Sequence, residues 1–141
     1  MSLLGPVLIV EDNDRDYEII ANALQNCGYP IDCYRADCGE DCLDRLQHGR
    51  PSFILLDLNL PGLDGRDVLS EVKSDVDLRS IPITVLTTSD NPRDVSFCYQ
   101  HGVNSYHLKP IHLKEFRSTL QSIADYWFNR VVLPDSIGAA R

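Results

Sequence analysis

The sequence predicts an α/β fold in which a doubly wound, five-stranded parallel sheet carries five helices on its two faces. Three observations predict it. Five short apolar runs recur along the chain, and each is followed by a segment of helical periodicity. The strongest runs, at residues 7–10 and 53–56, are apolar throughout rather than alternating, as strands covered on both faces are. Strands separated by helices need crossover connections, and crossovers make neighbouring strands parallel.

The elements follow in order. Val7-Leu8-Ile9-Val10 is the first strand. Tyr17, Ile20, Leu24 and Cys27 then recur at helical spacing, with Gly28 placed as the C′ residue. A weaker strand spans Ile31 to Ala36, and a short helix from Glu40 to Gln47 ends at Gly49. Phe53-Ile54-Leu55-Leu56 is the third strand, and Val68, Leu69 and Val72 mark the helix behind it. Ile83 to Leu86 is the fourth strand. Asn91-Pro92 reads as an N-cap with proline at the first helical position, opening a helix that runs to about His101 and is closed by Gly102. Ser105 to Leu108 is the fifth strand. In the last helix Leu113, Phe116, Leu120, Ile123 and Trp127 step by 3, 4, 3 and 4, which sets one apolar stripe on one face.

Composition narrows the function classes. The chain has 141 residues, with 13 Lys plus Arg against 21 Asp plus Glu, for a formal net charge of −8. That length fits one domain. The acidic balance argues against nucleic acid, which needs cations to neutralise phosphates. It argues equally against an anionic membrane surface. No apolar run approaches the ~20 residues of a membrane span. The N-terminus lacks a basic leader pattern, so a cytoplasmic location is the default expectation. Cys27, Cys33, Cys38, Cys42 and Cys98 include no Cys-x-x-Cys pair, which predicts reduced thiols rather than disulfides or zinc. His48, His101, His107 and His112 lack a metal-binding spacing and read as surface or loop residues.

In a doubly wound sheet, ligands bind at the carboxyl ends of the strands. The residues just after each apolar run therefore matter most. The first strand ends in Glu11-Asp12, the third in Asp57, the fourth in Thr87-Thr88-Ser89 and the fifth in Lys109-Pro110. Three carboxylates at one rim repel one another, and a hard divalent cation such as magnesium would offset them. Lys109 adds a second positive charge. Metal and lysine would bind the oxygens of a phosphoryl group, a threonine hydroxyl would donate to one of them, and a carboxylate would attack phosphorus. A single strand-end Asp is usually only a cap or turn residue; four strand ends carrying a matched set are harder to dismiss.

The motifs Val10-Glu11-Asp12-Asn13, Leu56-Asp57-Leu58-Asn59-Leu60-Pro61-Gly62-Leu63-Asp64-Gly65, Leu86-Thr87-Thr88-Ser89 and Tyr106-His107-Leu108-Lys109-Pro110 resemble the receiver domain of two-component response regulators. The resemblance covers about residues 6–127. It implies the flavodoxin-like strand order 2-1-3-4-5. It implies that Asp57 accepts a phosphoryl group from a phosphohistidine on a sensor histidine kinase. It implies that Asp12, Asp57 and the backbone carbonyl of Asn59 ligate Mg²⁺, with Glu11 acting nearby. Lys109 would pair with the phosphoryl oxygens, held by a cis Lys109-Pro110 bond. Thr87 and Tyr106 would be the switch pair: Thr87 moves to the phosphoryl group and Tyr106 then turns inward, a charge change biasing a two-state element. Pro61 and Gly65 would shape the loop after the acceptor. The resemblance also implies a phosphoacceptor rather than a conventional enzyme, catalysing only its own phosphotransfer and dephosphorylation. Thr88 departs from the pattern, since many receivers carry a small residue there, and the departure bears on phosphoryl lifetime.

A receiver needs about 120 residues, so residues 1–128 are assigned to it and 129–141 to a C-terminal extension. Tyr126, Phe128, Val131 and Val132 do not share the face of Trp127 in this reading, and they are assigned with Phe97 to an interaction or dimerisation surface. Tyr99 is a further candidate there. A hydrophobic cluster folding back on the domain is the alternative. The aromatic ending is similar to that of single-domain response regulators paired with cyanobacterial phytochromes. It implies a phytochrome-type kinase as partner and a homodimer, with no nucleic acid and no membrane. A different histidine kinase or an adaptor role in a phosphorelay is the runner-up. An aspartate-nucleophile phosphatase wants Asp-x-Asp after the first strand. A flavodoxin-like cofactor carrier wants a hydroxyl-rich or Gly-rich phosphate loop there rather than the anionic Glu11-Asp12-Asn13-Asp14. A pseudo-receiver would lack the Glu11, Asp12, Asp57, Thr87 and Lys109 set.

Overall fold

A computed structural model describes residues 5–134. The elements run β1 (Val7–Val10), α1 (Asp14–Gln25), β2 (Cys33–Ala36), α2 (Gly39–His48), β3 (Phe53–Leu56), α3 (Gly65–Ser74), β4 (Ile83–Thr87), α4 (Pro92–Gln100), β5 (Ser105–Leu108) and α5 (Leu113–Asp125). A single π-helical turn, Tyr126–Arg130, continues α5. The five strands pair in parallel in the order β2-β1-β3-β4-β5, as expected.

Alternation along each strand divides the core. Leu8, Val10, Ile54, Leu56, Ile83 and Val85 face one side, where Cys42, Leu46, Val68, Leu69, Val72 and Cys98 of α2, α3 and α4 cover them. Val7, Ile9, Phe53, Leu55 and Leu86 face the other, under Ile20, Leu24, Phe116, Leu120 and Ile123 of α1 and α5. β1, β3 and β4 are buried over their whole length, which is why they carry no polar alternation. β2 and β5 are the edges and are less apolar.

The helix starts follow side-chain caps. Asn13, Asp64 and Asn91 accept backbone N–H groups of α1, α3 and α4, and Pro92 fills the first position of α4 as expected. α1 ends earlier than its spacing suggests: Asn26 is the C-cap, and Gly28 turns the chain at φ 96° beyond it. All five cysteines are free.

The C-terminal reading needs one correction. Phe128 is buried, at 9% exposure, and its ring meets Phe53 edge-on at 5.7 Å between centroids. It lies four residues after buried Ala124 and eight after Leu120, so it shares their face. The wider turn, closed by the Val131 amide on the Tyr126 carbonyl, also lets Trp127 pack on Phe53 at 5.1 Å. Leu133 is buried as well. The chain therefore folds back here, while Tyr126 and Val132 stay exposed and Val131 is half-buried. On α4, Phe97 packs against the core and stacks on His101, so the outward aromatic is Tyr99. Residues 135–141 of the predicted extension lie outside the described residues.

Candidate functional site

The strands set the site by where their ladders end. The amide of Glu11 donates to Ala36, that of Asp57 to Val10 and that of Lys109 to Thr87, each a rung one residue past the strand. These rungs fix the three residues at one rim. Pairing ends there, so their side chains turn over the carboxyl edge of the sheet.

Lys109 is the centre. Its ammonium lies 2.7 Å from Glu11 Oε1, 2.9 Å from Asp57 Oδ2 and 3.0 Å from Asp16 Oδ2. The side chains of Lys109, Glu11 and Asp57 are nearly buried, at 6%, 2% and 6% exposure. Burial, then the charge of Asp57, pushes Glu11 up to about 7, and the bond from Lys109 works against that rise. For Lys109 burial opposes the charge, but the bond to Glu11 and the charge of Asp57 outweigh it and raise the group above the usual lysine range. Lys109 is held as the cation.

Carboxylate oxygens of Glu11, Asp12 and Asp57 gather within 4.8 Å of one another. Asp16 joins Glu11 and Asp57 around the one ammonium, and with Asp12 clustered beside them negative charge is in surplus. Hard oxygen donors in such surplus fit a divalent cation such as Mg²⁺. Asn59 comes alongside through its amide, which donates to Asp57 Oδ1 at 3.2 Å. Gly65 matters for close approach: a Cβ there would meet the Asp57 carbonyl and Leu58 Cα. Its amide donates to Leu58 at 2.9 Å, so α3 begins tight against the acceptor loop. The α2 start holds the same loop, because the Glu40 carboxylate accepts the Leu63 amide.

Thr87 is fully buried at the end of β4, and its Oγ1 accepts the Ser89 amide at 3.4 Å. Ser89 is a junction. Its carbonyl accepts the Tyr106 hydroxyl at 2.8 Å, and its hydroxyl donates to Asp94. Asp94 in turn takes both arms of the Arg66 guanidinium at 2.7 Å, and Asp64 takes the third nitrogen. The bond from Arg66, then that from Ser89, lowers Asp94 to about 2.

One expectation changes. The Lys109-Pro110 bond is trans, as every peptide bond among the described residues is. The trans form is the lower-energy one, and from it the lysine already spans all three carboxylates. Tyr106 is half-buried, and its hydroxyl donates to the Ser89 carbonyl. Two groups were missed. Asp16 and the Arg66–Asp94–Ser89 chain belong to no motif in the sequence. The signal for Asp16 was its spacing, one helical turn after Asp12.

Comparison with known proteins agrees with this geometry. The family model described as response regulator receiver domain matches residues 7–121. Response regulator Rcp1 of Synechocystis sp. is 38% identical over 135 residues, covering 91% of this chain and 92% of its own. Its Mn²⁺-bound crystal structure superposes with a TM-score of 0.90 at 37% identity, covering 92% of this chain and 99% of that one. The probable methanogenesis regulatory protein FilR2 of Methanothrix harundinacea is 38% identical over 127 residues, covering 86% of this chain and 82% of its own. The phosphorylated cyanobacterial phytochrome response regulator RcpA superposes with a TM-score of 0.90 at 36% identity, covering 93% and 99%. Sequence, sheet order and the carboxylate rim thus converge, and the chain belongs to the response regulator receiver family.

Proposed function

We propose that this protein is a phosphoacceptor switch that takes a phosphoryl group on Asp57 from a phosphohistidine of a sensor histidine kinase of the phytochrome type. The observation that carries the reading is the buried Lys109 ammonium set between Glu11 and Asp57, which cluster with Asp12. A carboxylate oxygen of Asp57 attacks phosphorus, the P–N bond breaks, and the leaving imidazole nitrogen keeps the bonding pair. Lys109 supplies fixed positive charge to the phosphoryl oxygens. Asp12, Asp57 and the carbonyl of Asn59 would hold Mg²⁺, with Glu11 beside them; the bound ion supplies charge neutralisation to the transferring group. Hydrolysis of the acyl phosphate at the same site returns Asp57 to the free acid.

The readout runs through Ser89. Movement of Thr87 toward the phosphoryl group would pull the junction that holds Tyr106 and Asp94, and so shift the start of α4. Tyr126, Val131 and Val132, apolar side chains left exposed or half-buried near the start of the C-terminal segment 129–141, would carry contact with a second copy. The relatives named for phytochrome signalling support the choice of kinase. A direct test is transfer from autophosphorylated histidine kinases, phytochrome-type ones included. Rapid transfer from a phytochrome-type kinase to wild type and none to Asp57→Asn is expected. Transfer that persists in Asp57→Asn, or that comes only from unrelated kinases, contradicts the reading.

A further inference from the structure

A lysine ammonium has three N–H donors. Here each has an anionic partner: Glu11 at 2.7 Å, Asp57 at 2.9 Å and Asp16 at 3.0 Å. Glu11 and Asp57 follow strands of the sheet, whereas Asp16 belongs to the first turn of α1. It is also the most exposed of the three, at 26%. Asp16 is not among the carboxylates clustered for the metal. Its partner at the site is Lys109.

We propose that Asp16 is a positioning residue that holds one donor of Lys109 and thereby limits how tightly the site grips a phosphoryl group. The proposal rests on Asp57 being the acceptor. When Asp57 is modified, its bond from Lys109 passes to a phosphoryl oxygen, and the group carries close to two negative charges. Glu11 and Asp16 keep the other two donors. The Asp16 and Asp57 oxygens share one nitrogen and so lie no more than about 6 Å apart, close enough for repulsion to matter in a poorly hydrated site. Asp16 therefore draws on the lysine charge and repels the same anion that the lysine attracts. Loss of its charge strengthens the hold on the phosphoryl group.

The test uses beryllium fluoride, a phosphoryl mimic, titrated into the full chain at saturating MgCl2 and followed by ¹⁹F NMR. Asp16→Asn, which keeps the shape and removes the charge, is expected to bind the mimic about threefold or more tightly than wild type. Asp16→Ser gives a second charge-free form should the first fold poorly, and Asp16→Glu, which restores the charge, is expected near the wild-type affinity. A residue that merely supports the fold would move binding the other way. Unchanged or weaker binding by both charge-free variants, beside wild type that binds and Asp57→Asn that does not, overturns the role of Asp16 alone. No binding by wild type overturns the acceptor reading and this proposal with it.

Discussion

Among single residues, the site depends on burial as much as on charge. Glu11 is raised to about 7 by burial and by Asp57, so the folded state binds its proton more tightly than the unfolded chain does. A group shifted this way costs the metal-free protein stability as pH rises from 4.5 to about 7. Mg²⁺ binding favours the ionised form and offsets that cost. Thermal melts should therefore show a larger rise in Tm on adding Mg²⁺ at pH 8 than at pH 5.5; equal rises would contradict the assignment. Gly65 gives a sterically simple case. A methyl group there meets backbone of Asp57 and Leu58, which cannot move aside cheaply, so Gly65→Ala should cost about 2 kcal/mol in denaturant unfolding and impair Mg²⁺ binding as well. Glu11, Asp12, Asp57 and Lys109 were legible in the sequence because each lies within two residues of a strand's end, and a strand's end fixes where the next side chains gather. Asp16 was not, because its partner lies 93 residues away and its helix starts earlier than the apolar spacing shows.

At the level of elements, periodicity located every strand and helix, and the errors fell at their ends. α1 and α5 carry regular stripes, but the π-helical turn after α5 has no periodic signature of its own. Phe128 consequently reads as exposed when judged from Trp127 and as buried when judged from Ala124. Phe128→Ala should cost about 3 kcal/mol on denaturation, as emptying a core aromatic position does. Val132→Ser, at 72% exposure, should cost less than about 0.5 kcal/mol. Similar losses for the two would contradict the packing described. The Arg66–Asp94 pair joins α3 to α4 with two parallel bonds, yet Arg66 is 28% exposed, so solvent screening keeps its contribution to about 1 kcal/mol. No sequence spacing announces that pair, since it links residues from two different helices.

For the molecule as a whole, the net charge of −8 proved a poor guide to what the protein binds. Glu11, Asp12 and Asp57 are gathered at one rim, where Lys109 and a bound divalent cation would turn a repulsive cluster into an anion site. Among the described residues no helix is long and apolar enough to cross a membrane. The exposed Tyr126 and Val132 predict self-association: sedimentation should show a dimer of the full chain that Tyr126→Ser with Val132→Ser dissociates without unfolding. Identical sedimentation of the two would remove the C-terminal surface from the account. The parallel sheet was readable from apolar runs separated by helical segments and its strand order from the family resemblance, but the folding back of Leu133 onto the domain was not, because one apolar residue after an irregular turn has no period to declare its direction. The central claim is that Asp57 is the phosphoacceptor, and intact-mass spectrometry after incubation with a small acyl-phosphate donor and Mg²⁺ tests it most directly. The account predicts a gain of about 80 Da, one phosphoryl group, in wild type, and none after chelation or in Asp57→Asn; a gain that survives Asp57→Asn, or its absence from wild type, would contradict it.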